Sequence, residues 1–146
     1  MPCVICACLD YLLSLHCVRQ HRFTPHIVIR KVLEAAAIVL GAEPVYPERG
    51  RKKGTPDFWA SSISFIEKPH FLSNLVVHAE KRLKIPDHLM QELKFGYVTN
   101  PLLSPKHVYR SSYYAGVLWD WIRARYAYQV CEVTLLRICS HRNHIR

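Results

Sequence analysis

Apolar residues recur in steps of three or four along much of the chain, and those steps divide it into helices. Val28, Val32, Leu33, Ala36, Val39 and Leu40 form the first such stripe, the spacing of an amphipathic helix. Thr24-Pro25 suits its start, since Thr caps well and Pro fits the first turn. Gly41 is placed to end it. Arg30, Lys31 and Glu34 are expected to share the outer side of this helix.

Ala42 to Pro56 breaks the pattern. Pro44, Pro47, Gly50, Gly54 and Pro56 predict a loop, and it carries Arg49, Arg51, Lys52 and Lys53. A short helix is expected over Asp57 to Glu67, with Asp57 as cap, Trp59 as packing anchor and Pro69 beyond its end. Phe71, Leu72, Leu75 and Val76 make another short stripe. Pro86 is placed to open a helix in which Leu89, Met90, Leu93 and Tyr97 recur, and Asn100-Pro101 is a turn. Ser104-Pro105 repeats the cap-and-proline signal. From there Val108, Ser112, Ala115, Trp119, Ile122, Tyr126, Val130 and Val133 predict one long helix. No segment alternates as a strand would. The expected fold is all-α, a compact bundle of about five to six helices.

Composition changes this picture only through charge and cysteine. At 146 residues, the chain suits one domain with a real core. Half of it is hydrophobic and 21% charged, which is ordinary for a globular protein. Twenty Lys and Arg against eleven Asp and Glu give a net charge of +9, which favours an acidic partner. Cys3, Cys6, Cys8 and Cys17 lie near the start, and Cys131 and Cys139 near the end. A disulfide framework spreads its cysteines through the loops it staples, so these are read as free thiols in a reducing compartment. C-x-x-C-x-C lacks the second knuckle of a zinc ribbon, which weighs against a metal site built from Cys3, Cys6, Cys8, His16, Cys17 and His21. Met1 to Val18 is apolar but interrupted by Asp10 and His16. It lacks the basic start and cleavage site of a signal peptide and the length of a spanning helix, and is read as a buried or partner-facing helix.

Catalytic patterns do not emerge. The nine His are scattered, and Asp10, Asp57, Asp87 and Asp120 do not pair. Tyr109, Tyr113, Tyr114, Trp119, Trp121, Tyr126 and Tyr128 could stack bases on a nucleic-acid surface, but Trp119 and Tyr126 fall on the apolar stripe and are expected to pack. No helix-turn-helix, RNP or zinc-finger string supports a nucleic-acid reading.

The order of the pieces carries more. TPHIVIRKVLEAAAIVLG (Thr24 to Gly41), GRKKGTPDFW (Gly50 to Trp59), PHFLSNL (Pro69 to Leu75), IPDHLMQELKFGYVTNPLLSPKHVYRSS (Ile85 to Ser112) and WIRARYAYQV (Trp121 to Val130) follow one another. In this order they resemble the microtubule-binding domain at the tip of the dynein heavy-chain stalk. The loop Gly50 to Trp59 is more like that of axonemal heavy chains. The resemblance implies a tubulin-binding module over residues 24–133, set between an apolar Cys-rich segment 1–23 and a basic tail 134–146. It places Arg30 on the first tip helix and Arg110 early in the last, at basic positions that meet tubulin carboxylates, and makes Phe71 to Val76 the short middle helix. Arg51, Lys52 and Lys53 have no one-to-one counterpart and are expected to add a salt-sensitive contact. The resemblance also implies a cytoskeletal setting, in cytoplasm or ciliary axoneme, and the rest of a heavy chain as partner.

The chain departs from that family in what surrounds the tip. It has no G-x-x-x-x-G-K-[ST] string, so neither ATP as cofactor nor an ATPase is expected here. The sustained heptads of the two stalk strands are reduced to a vestige. A fragment, a truncated product or a detached tip is the corresponding expectation.

Overall fold

A computed structural model of the chain describes residues 26–47, 54 and 56–143. Among these residues the α-helices are α1 (Ile27–Val39), α2 (Phe58–Ile66), α3 (Phe71–Glu80), α4 (Asp87–Glu92), α5 (Pro105–Ser111) and α6 (Tyr113–Asn143). A π-helix, Leu93–Val98, continues α4, and a 3-10 turn, Pro101–Leu103, leads into α5. Among the described residues there is no strand. The fold is all-α, as the periodicity predicts.

The first helix is the axle of the bundle. It packs against α2, α5, α6, the π-helix and the 3-10 turn. Val28, Val32, Leu33 and the run Ala35 to Val39 are all buried, so the helix is covered on most of its circumference rather than along one stripe. Its first turn is capped by His26, whose ring nitrogen accepts from the Val28 N–H at 3.4 Å. The expected cap, Thr24, lies outside the described residues. Its last turn closes as Gly41 predicts. Gly41 adopts φ +88°, its N–H donates to the Ile38 carbonyl at 2.9 Å, and the Ala42 N–H reaches back to Ala37 at 3.0 Å.

The loop after α1 is closed by one antiparallel bridge. Val45 and Asp57 exchange both backbone hydrogen bonds, at 3.1 and 2.8 Å. Asp57 also caps α2 by accepting from the Trp59 and Ala60 N–H groups. Phe58, Ile66, Phe71 and Leu75 then bring α2 and α3 onto the core, and Pro69 falls in the turn between them.

Two predicted helices differ from their expected form. Leu89, Leu93 and Tyr97 are all buried, and their spacing of four drifts by about 40° per step on a 3.6-residue helix. Widening to a π-helix, with the Thr99 N–H reaching Lys94 at 3.0 Å, keeps all three on the core. The long helix expected from Pro105 is broken at Ser112. That residue is extended, at φ −166° and ψ 128°, and its hydroxyl accepts from the Ala115 N–H at 3.3 Å. Ser112 is therefore the N-cap of α6, not a member of its stripe. Across this corner the Tyr109 ring lies over Gly116, where an added Cβ would come within 2.4 Å of it. The Tyr109 hydroxyl donates to Asp120 at 2.8 Å.

Val108, Ala115, Trp119 and Ile122 are buried as predicted, and Tyr126 is partly so. Beyond Ile122 the packed face turns to Arg125 and Gln129, while Val130 is exposed. Val133 marks no boundary in the backbone: α6 runs on to Asn143, with Leu135, Leu136 and Ile138 exposed.

Candidate functional site

Three charged positions on α1, Arg30, Lys31 and Glu34, form the most developed polar site. Sequence spacing puts Arg30, Lys31 and Glu34 on one side of the helix, where Arg30 and Lys31 are half-buried and Glu34 is shut off from water. Tyr97, from the π-helix, covers it. Glu34 is 1% exposed. Its carboxylate accepts from Arg30 Nε at 2.9 Å, Lys31 Nζ at 2.7 Å and the Tyr97 hydroxyl at 3.0 Å. The Arg30 guanidinium also sits 5.1 Å from the Trp59 ring centroid and 3.9 Å from an Asp57 oxygen. A buried carboxylate is tolerable when charges and donors surround it, and here two cations and a hydroxyl do so. Burial first, and then the Glu34 charge and hydrogen bond, push the Tyr97 phenol far above its ordinary value of 10.

The expected outer-face position of Glu34 is therefore corrected. The signal was present in V-L-E-A-A-A-I-V, where a single acid interrupts an apolar run. Its partner Tyr97 lies 63 residues away, beyond the reach of local pattern.

Arg30 is thus already engaged inside the molecule. Arg110 differs. It is exposed on the last turn of α5, where a cation also suits the negative end of the helix dipole. Its neighbours hold it in place: Val108 is buried, and Tyr109 is tied to Asp120 across the corner. Because α1 and α5 pack against each other, the two arginines belong to adjoining elements. Arg51, Lys52 and Lys53 lie outside the described residues. So do Cys3, Cys6, Cys8, His16, Cys17 and His21. The middle helix Phe71 to Val76 exists as the first part of α3, with Val76 and Val77 exposed.

A second polar site joins the segment after α3 to α6. Gln129 Oε1 accepts from the Ile85 N–H at 2.8 Å, and its Nε2 donates to the Ile85 carbonyl at 2.7 Å. One turn earlier, an Arg125 terminal nitrogen donates to the Leu83 carbonyl at 3.0 Å. His78 is buried nearby, and burial, followed by the Arg125 charge, holds its imidazole below the ordinary value of 6.5. Arg125 and Gln129 are four apart on one helix face, but residues 83–85 offer no side-chain pattern to announce the pairing.

Among the described residues, no helix is long and apolar enough to cross a membrane, and no cluster of His, Cys, Asp and Glu could hold a metal ion. Cys131 is an exposed free thiol. No family model matches the chain, and no curated protein matches it.

Proposed function

We propose that this chain binds microtubules as a stalk-tip module of dynein type. The observation that carries the reading is the ordered set of strings from Thr24 to Val130. The exposed Arg110 supports it. A guanidinium held near a helix end offers a bidentate fork to a carboxylate, and the net charge of +9 favours an acidic surface. The reading is of binding alone, because the chain has no P-loop with which to hydrolyse ATP. Its setting would be the cytoskeleton, including the ciliary axoneme, with the remainder of a dynein heavy chain as a further partner.

Co-sedimentation with microtubules tests this. The protein should pellet at low salt and progressively less as salt rises. Arg110→Glu should abolish most of the pelleting while leaving the circular dichroism and melting temperature unchanged. Arg30→Glu is a poorer probe, since it sets a second carboxylate against buried Glu34 and tests the fold as much as the contact. Failure of the unaltered protein to pellet, or pelleting indifferent to Arg110→Glu, would remove the proposed contact.

A further inference from the structure

We propose that a cavity between the end of α3 and α6 is a binding site for a small oxyanion, a carboxylate or a phosphate. The cavity has a volume of about 250 Å³ and is lined by Ala79, Arg82, Trp121, Ala124, Arg125 and Tyr128. The four α6 residues lie on one face, at steps of three and one. Two arginines, two aromatic rings and two alanines leave a small pocket with positive charge and flat walls.

Arg125 supplies the first argument. It is only 9% exposed, yet among the described residues no carboxylate pairs with it. A guanidinium carries five N–H donors. The bond to Leu83 and the contact with the Tyr128 ring, 5.6 Å from its centroid, engage part of the group. Nε remains buried with no acceptor. Holding the loop after α3 explains the terminal nitrogen but not Nε. A buried cation is normally compensated by an opposite charge. An oxyanion in the adjoining cavity would provide that opposite charge.

Arg82 supplies the second. It occupies the left-handed region at φ 49°, the one non-glycine among the described residues to do so. Its N–H donates to the Ala79 carbonyl at 3.1 Å, and the Leu83 N–H to His78 at 3.0 Å. This is the same pair of bonds that Gly41 and Ala42 make at the end of α1. Glycine is the residue without strain at that position. An arginine there strains the backbone, and its side chain reaches the cavity wall with no partner among the described residues.

The test follows the Arg125 Nε–H resonance by NMR in the whole chain. Inorganic phosphate, sodium acetate and a glutamate-rich peptide are titrated in turn at constant ionic strength, with sodium chloride as reference. A saturable shift with phosphate or acetate identifies a free small anion as ligand. Saturation by the peptide at a concentration at least tenfold lower identifies an acidic side chain of a partner. Arg82→Gly should raise the melting temperature by relieving the strain, yet weaken binding roughly ten- to a hundredfold, the range for losing one charged hydrogen bond. Arg125→Met should abolish the binding, read from the Trp121 indole N–H resonance. The proposal is overturned if no titrant gives a saturable shift, if chloride gives the same shift, or if Arg82→Gly binds as tightly as the unaltered protein.

Discussion

Glu34 and Arg125 are both buried charges on helices that face the core, and the protein treats them differently. Glu34 is surrounded: two cations and a phenol donate to it within 3.0 Å. Arg125 makes one bond to a backbone carbonyl and leaves Nε without an acceptor. The difference follows from what crosses each helix. The π-helix brings Tyr97 over Glu34, while Arg30 and Lys31 are supplied by its own helix at i−4 and i−3. Over Arg125 pass a turn of exposed backbone and a cavity. A satisfied charge of this kind ties elements together, whereas an unsatisfied one is a vacancy in the electrostatics that a ligand can fill.

This contrast can be broken most sharply at Glu34. Glu34→Ala removes the centre of the network and leaves the Tyr97 hydroxyl buried without its acceptor. It should cost about 3 kcal/mol, the lower end for breaking a buried charge pair, because Arg30 and Lys31 are partly exposed and can turn to water. Urea denaturation monitored by helicity measures it. Tyr97→Phe removes a single donor to the same carboxylate and should cost about 1.5 kcal/mol. A loss as large as that of Glu34→Ala would mean that the phenol, not the two cations, carries the network.

On the other side of the comparison the expected effects are smaller and partly reversed in sign. Arg82→Gly should stabilise the fold by about 1 kcal/mol, since it places glycine where the backbone is left-handed. His78 gives a pH dependence. Its folded value lies below 6.5, so between the two values the unfolded chain binds more protons. Stability is complete above about pH 6.5 and falls as pH drops through that window towards the folded value. Thermal melts from pH 7 to 5 should show the decline, and His78→Gln should flatten it. Arg125→Met should be the least consequential for stability, within about 1 kcal/mol of zero. It removes an uncompensated charge and keeps most of the volume, with loss of the Leu83 bond as the offset.

The elements themselves were largely legible in the sequence. Gly41, Asp57, Pro69 and Pro105 each act at the helix boundary where local chemistry places them, while Ser104 and Pro86 stand at N-cap positions without a side-chain cap bond. Their signals need only a few neighbouring residues. The polar sites were less legible. Helical spacing groups Arg30, Lys31 and Glu34 on one side of α1, but whether Glu34 faces water depends on Tyr97, 63 residues on. The break at Ser112 was hidden for a related reason. A serine at a stripe position reads as a tolerated small residue until its extended backbone and its bond to Ala115 make it a cap.

What the sequence determined by itself is therefore the local order: helices in place of strands, most of their boundaries and turns, and a basic chain with a net charge of +9. These depend on periodicities and on residue chemistry that act within a turn or two of helix. Only the tertiary structure decided which charges are buried, which are answered and which are left over. Burial is set by the element that happens to cross a helix, and such elements come from far along the chain. That is why Arg110 stands exposed, Arg30 is held by Glu34, and Arg125 keeps an unanswered donor beside a cavity.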